Sequence, residues 1–200
     1  MQVRHLILVA IWMVGFVWSA IGPKDYFTWF LEVVPAIVGL GVLVYSYRRF
    51  RLTDLVYVLI LIHCLILMVG GHYTYAEVPI GFWVRDALGL TRNHYDRLGH
   101  FAQGFVPAMV AREIFVRRGV VNGAVWRYVL VVCFCLAFSA FYELIEWWTA
   151  VSTGEAATAF LGTQGDVWDT QWDMFMALVG ANVALLTLGR WHDRLLRELA

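Results

Sequence analysis

Long apolar runs separated by short polar clusters make up nearly the whole chain. A helix needs about 20 apolar residues to cross ~30 Å of hydrocarbon. Six stretches come close to this, at residues 5–22, 26–47, 53–71, 96–116, 124–149 and 166–189. Residues 72–95 are too polar to span. They nevertheless carry Ile80, Phe82, Trp83, Val84, Leu88 and Leu90, which predicts a short helix lying in the interface. The first run follows Arg4 and His5, as a secretory signal would, but has no small-residue cleavage site before Pro23 and Lys24, and so reads as the first span. No repeat, low-complexity tract or linker divides the chain. The pattern therefore predicts an all-α fold, a polytopic transmembrane bundle of about six helices forming a single integral membrane domain over residues 1–200.

Composition agrees. Of 200 residues, 61% are hydrophobic and 15% charged, and mean hydropathy is +0.68, outside the range of a soluble globular domain. Fifteen basic and fifteen acidic side chains cancel, so nothing points to nucleic acid, and membrane lipids are the expected surroundings. Cys64, Cys133 and Cys135 all fall within apolar runs and read as small buried hydrophobes.

The placement of charge is more informative than its sum. With the N-terminus inside, Arg4, Arg48, Arg49, Arg51, Arg112, Arg117, Arg118, Arg127, Arg190, Arg194 and Arg197 are cytoplasmic, leaving Lys24, Arg85, Arg92 and Arg97 outside. Both termini are thus predicted to be cytoplasmic. Trp18, Trp29, Trp83, Trp147, Trp148, Trp168 and Trp172 then fall near the outer interface, where indole rings anchor.

Ionisable side chains inside a span are costly and usually mark a site. The fourth span opens Asp96-Arg97-Leu98-Gly99-His100 and continues to Gln103, with Asp96 and His100 at i and i+4 on one face. The fifth ends with Glu143 and Glu146 at i and i+3, where the helix dipole disfavours negative charge. The sixth opens with Asp166, Asp169 and Asp173 as one stripe. In the predicted topology the three sets converge near the outer face. Six carboxylates would then face only Arg97 and the nearby His72, His94 and His100, an excess that calls for a metal ion, bound protons or water. The expected ligands of a divalent ion are Asp96, His100, Glu146, Asp169, Asp173 and His72, and such oxygen and nitrogen donors suit zinc, manganese or iron. Tyr73 closes the third span where it could reach the cluster, Glu32 lies near the outer end of the second span, His63 reads as a hydrogen-bonded interior residue, and His5 and His192 as residues of the cytoplasmic interface. Gly162 to Asp166 forms a turn whose free N–H groups could face an anion. No nucleophile elbow, His-Glu-x-x-His, dinucleotide fingerprint or phosphate loop is present.

At Asn93 to Gly104, Tyr142 to Trp147 and Leu161 to Met174 the chain resembles the YjdF-like bacterial inner-membrane proteins over nearly its whole length. That resemblance implies the inner (cytoplasmic) membrane and a multi-pass topology, but no reaction. The order Asp-x-x-x-His, helix-ending glutamates and helix-opening aspartates is also similar to that of the VanZ-like membrane proteins, which points toward the cell envelope. The function expected is a metal-dependent, hydrolase-like enzyme acting on a lipid or envelope substrate, with Glu143 as base and Arg97 holding an anionic group or fixing a ligand carboxylate. A proton-coupled or ion transporter, and a structural or assembly protein without chemistry, are the other classes the residues allow.

Overall fold

The computed structural model describes residues 2–154 and 158–199, and they are helical almost throughout. In chain order the helices are α1 (Val3–Ala20), α2 (Tyr26–Ser46), α3 (Asp54–Tyr73), a 3-10 turn at Tyr75–Glu77, α4 (Pro79–Leu88), α5 (Tyr95–Arg117), α6 (Ala124–Thr153), the short α7 (Thr158–Leu161) and α8 (Asp169–Leu199). Five of them, α1, α2, α3, α6 and α8, are long and apolar enough to cross a membrane. The predicted fourth span, α5, has a more polar sequence, and its position explains why. It packs against α3, α6 and α8, and more than half of its 23 residues are buried in protein. A helix shielded from lipid in this way can carry charge that a lipid-facing helix cannot.

Small residues draw α5 and α8 together. A side chain at Gly104 would overlap the Ala177 carbonyl, and one at Gly180 would overlap the Phe101 carbonyl, so the two backbones touch. Ala108, Ala111, Ala177, Ala181 and Ala184 are buried along the same seam. Close backbone approach through small residues is how helices gain contact where water supplies no driving force.

These contacts fix the directions. α5 and α8 run parallel, since Asp96 and His100 lie near Asp173 at one end and Arg112 lies near His192 and Asp193 at the other. Successive long helices alternate in direction, so both described termini lie at the same end as Asp54 and Thr53. That end carries the eleven arginines grouped by sequence and is called the basic end below; the opposite one is the acid-rich end. Residues 72–95 do form a short helix, α4, and its Ile80, Trp83, Val84 and Leu88 are exposed.

Two helix boundaries differ from the sequence reading. α6 continues seven residues past Glu146 to Thr153, so Glu143 and Glu146 are interior to a helix rather than at its end. α8 begins at Asp169, not Asp166, and runs to Leu199. Asp166 lies in the preceding turn, where its Oδ1 accepts from the Trp168 N–H at 3.0 Å, so the three-aspartate stripe reduces to Asp169 and Asp173.

The basic end holds a network that sequence reading missed. Glu113 and His192 are fully buried there. Glu113 accepts from the Thr53 N–H at 2.9 Å, the Thr53 hydroxyl at 2.8 Å, Arg117 Nη1 at 2.8 Å and His192 Nε2 at 3.0 Å. Arg112 Nη1 donates to His192 Nδ1 at 3.0 Å, which makes His192 the neutral Nε2–H tautomer, and Arg112 Nη2 reaches Asp193 at 2.6 Å. His5 is buried as well, between Tyr47 at 2.7 Å and Asp54 at 2.9 Å. Neither His5 nor His192 is a surface residue.

Candidate functional site

At the acid-rich end α5, α6 and α8 bring Asp96, His100, Glu143, Glu146 and Asp173 together. Two overlapping groups have ligand atoms all within 4.8 Å of one another, Asp96 with His100 and Asp173, and His100 with Glu143 and Glu146. His100 is shared, and its two nitrogens face different neighbours. Nε2 lies 3.6 Å from Asp96 Oδ1 and 4.0 Å from Asp173 Oδ2, while Nδ1 lies 3.8 Å from Glu143 Oε1 and 2.9 Å from Gln103 Oε1.

Gln103 decides which nitrogen can bind a cation. Its Oε1 only accepts, so Nδ1 donates to it and Nε2, the nitrogen beside Asp96 and Asp173, is the one available to a cation. An ion about 2.0–2.2 Å from each tetrahedral ligand holds its ligand atoms roughly 3.3–3.6 Å apart. The observed 3.6 and 4.0 Å need only a small contraction. Among the described residues, Asp173 Oδ1 and Glu143 Oε1 are buried without a hydrogen-bond partner, as is the Tyr142 hydroxyl.

A polar strap closes the outside of the cluster. Arg92 Nη1 contacts Asp169 at 2.6 Å and Asp166 at 3.3 Å, and its Nη2 donates to the Gly162 carbonyl at 3.3 Å. Arg97 Nη2 reaches Asp166 at 2.7 Å while its guanidinium lies 5.0 Å over the Trp172 ring. Gln164 and Asn93 exchange two hydrogen bonds, at 3.1 and 2.8 Å. The Trp168 N–H, helped by Arg97 and Arg92, holds the Asp166 carboxyl below the usual carboxylate range. In this arrangement the Gly162 carbonyl meets Arg92 and the Asp166 N–H closes the turn onto the Thr163 carbonyl at 2.9 Å.

Several residues are placed otherwise than the sequence suggests. His72 is not at the cluster: its Nδ1 is 3.1 Å from the Ser19 carbonyl and its ring lies 4.6 Å from Trp18, because α3 leans on α1 at this level. Asp169 adjoins the cluster, but its Oδ1 is taken by Arg92. Arg97 does fix a carboxylate, that of Asp166 rather than of a candidate ligand. Arg92, read only as an outer-side charge, proves to be the centre of the strap, a pairing of its loop with the first residue of α8, 77 residues on, that no local pattern announces.

Beneath the strap a cavity of about 360 Å³ reaches His100, Asp96 and Glu146 and is also lined by Glu32, His63, Tyr75 and Tyr142. Tyr75 enters because Gly70 and Gly99 leave room on either side for its ring. His63 faces this cavity, as Glu32 does.

Comparison with known proteins places the chain. A family model described as a predicted membrane protein (DUF2238) matches residues 4–194. The chain belongs to this family. It is also 55% identical over 182 residues to the inner membrane protein YjdF of Escherichia coli (strain K12), covering 91% of this chain and 87% of that one. No solved structure matches. The protein is therefore an inner-membrane protein with several transmembrane helices, of a family without an assigned activity.

Proposed function

We propose that the acid-rich cluster is a divalent metal centre of a membrane-embedded hydrolase, lying toward the outer face beneath the strap. The observation that carries this reading is a set of carboxylates, Asp96, Glu143 and Asp173 buried and Glu146 half-buried, left without a cation among the described residues. Arg92 and Arg97 are engaged by Asp166 and Asp169, so Asp96, Glu143, Glu146 and Asp173 surround a single imidazole. Unpaired buried charge of that kind costs several kcal/mol per ion unless a counter-charge or protons compensate it. Asp96, Asp173 and His100 Nε2 would hold the ion, and Gln103 would keep His100 in the required tautomer. When bound, such an ion polarises an ester or phosphoester and makes water acidic near neutral pH. Glu143, with one oxygen unpartnered, is placed to accept the proton of an attacking water. The outward orientation follows from the eleven arginines at the opposite end, which the positive-inside rule assigns to the cytoplasm together with both termini.

Ion or proton transport would need a polar path to the basic end. Below Asp173 the Gly104–Ala177 and Gly180–Phe101 backbone contacts close the α5–α8 seam, and Ala177, Ala181 and Ala184 are fully buried. This closure favours a pocket over a conduit.

The test is metal content of the detergent-purified protein by mass spectrometry. Near-stoichiometric zinc, manganese or iron is expected in wild type, with tenfold or greater loss in His100→Ala and Asp173→Asn and retention in Glu143→Gln. Folded wild type that takes up none of the three metals on incubation overturns the reading.

A further inference from the structure

A second cavity, of about 630 Å³, lies at the basic end between the first turns of α6 and the later turns of α8, with the buried Arg112 of α5 in its wall. Three arginines line it, Arg112, Arg127 and Arg190, against a single acid, Asp193. That acid is already engaged, because Arg112 Nη2 reaches it at 2.6 Å. The other carboxylate pairs of arginine at this end take Arg4 and Arg117. Arg127 on α6 and Arg190 on α8 have no hydrogen-bond or ion-pair partner among the described residues. Three guanidiniums against one carboxylate leave two positive charges in the cleft uncompensated.

The cleft changes character with depth. Val131, in its wall, is seven residues past Ala124, where α6 starts, or roughly 10 Å at 1.5 Å per residue. Leu185 and Leu186 line it just over one turn from Arg190, on the side of the acid-rich end. The charged part therefore continues into an apolar part that lies deeper in the bilayer. Trp126 and Trp191, next to the two unpaired arginines in sequence, are exposed, as indoles are at the headgroup level. A side chain added at Gly189, another lining residue, would meet nothing within 4 Å, so the space beside Arg190 is open. A free phosphate would use only the charged part of such a cleft, whereas a phospholipid uses both.

We propose that this cleft binds cardiolipin of the cytoplasmic leaflet, its two phosphodiesters meeting Arg127 and Arg190 and its tails lying against Val131, Leu185 and Leu186. Guanidinium–phosphate pairs are charge-assisted and can be bidentate. A basic pocket between transmembrane helices on the cytoplasmic side suits such a head. Charge decides among the lipids. Two phosphodiesters match the two unpaired guanidiniums, whereas phosphatidylglycerol brings one charge against two. Phosphatidylethanolamine is neutral, and its ammonium would need the carboxylate that Arg112 holds. Bound in this way the lipid ties α6 to α8 at the membrane surface. The site does not depend on the metal centre, which lies at the other end of the same helices; it shares with that reading only the assignment of the basic end to the cytoplasm.

The test offers cardiolipin, phosphatidylglycerol, phosphatidylethanolamine or inorganic phosphate, at equal phosphate concentration, to the delipidated full chain in detergent. Native mass spectrometry reads the copies retained, and thermal unfolding reads the stabilisation. Wild type should retain one cardiolipin, at least tenfold more tightly than either two-chain lipid, and gain no protection from inorganic phosphate. Arg127→Gln combined with Arg190→Gln should weaken that binding tenfold or more. Arg194→Gln combined with Arg197→Gln removes the same charge from the same end but outside the cleft, and should bind as wild type does; this separates a built site from general attraction to a basic surface. Gly189→Trp fills the open space and keeps every charge, so it is a second block should the first double variant perturb folding, with the same loss expected. Retention of phosphatidylglycerol or phosphatidylethanolamine equal to that of cardiolipin, equal losses in the two double variants, wild-type binding in both blocked forms, or protection by inorganic phosphate overturns the proposal.

Discussion

Two buried acid–histidine groups sit at opposite ends of the same helix pair, α5 and α8, and they are wired in opposite ways. At the basic end Glu113 accepts four close hydrogen bonds and both nitrogens of His192 are engaged, so every strong group of that network has a partner. At the acid-rich end the closest approaches of His100 to carboxylates are 3.6 to 4.0 Å, and Asp173 and Glu143 each keep a buried oxygen without a partner. A satisfied network rigidifies and specifies one packing, whereas an unsatisfied one stores a demand for something absent. On the metal-centre reading proposed above, the contrast is that between a fastener and a receptor built on the same two helices.

The difference is open to direct attack by mutation. Glu113→Ala removes the centre of the closed network and takes the acceptor away from His192 Nε2 and from the Thr53 N–H and hydroxyl, while Arg117 keeps only the Arg51 carbonyl; the expected cost is about 3–5 kcal/mol, the scale for breaking a buried ionic group by deleting one partner. Thermal unfolding in detergent should show a large drop, and a change no bigger than that of an exposed-site control would refute the fastener role. The opposite end should behave in reverse. A metal at a hundredfold its dissociation constant should stabilise wild type by about 2.7 kcal/mol through mass action. Asp173→Asn should lose that response, and without metal it should be as stable as wild type or more so, because one uncompensated charge has gone. A metal-free Asp173→Asn protein that is clearly less stable than wild type would mean that the acid-rich end is also a fastener.

Some of this was readable in one dimension and some was not. The long helices, the short helix α4 and the grouping of Asp96, His100, Glu143, Glu146 and Asp173 follow from hydropathy, charge placement and helical spacing, because each signal is local and only the helix directions are needed to combine them. The pairing of Glu113 with His192, 79 residues away, was not readable. Each residue sits near a run of arginines, where a polar side chain is ordinarily at the surface, and only the α5–α8 seam brings them inside. His72 misled for the same reason in reverse. Its depth in the bundle matched the cluster, but the side of α3 it occupies faces α1.

The smallest effect belongs to the strap, which stands between the receptor and solvent and depends on Asp166. Its carboxyl is held below the ordinary 3.8 by the Trp168 N–H and by Arg97 and Arg92. The folded value lies below the unfolded one, so the contribution of the strap is complete above the ordinary value and is lost as pH falls through the lowered one. Arg97 covers the Trp172 ring, so release of Asp166 should change indole emission as Arg97 shifts. Tryptophan fluorescence during acid titration should show a step with its midpoint below pH 3.8, missing in Asp166→Asn. The basic-end network has no part in this step, so Glu113→Ala protein that remains folded should keep it. A step centred above the ordinary carboxylate value, or one that persists in Asp166→Asn, would assign the transition to another group and remove Asp166 as the latch over the cluster.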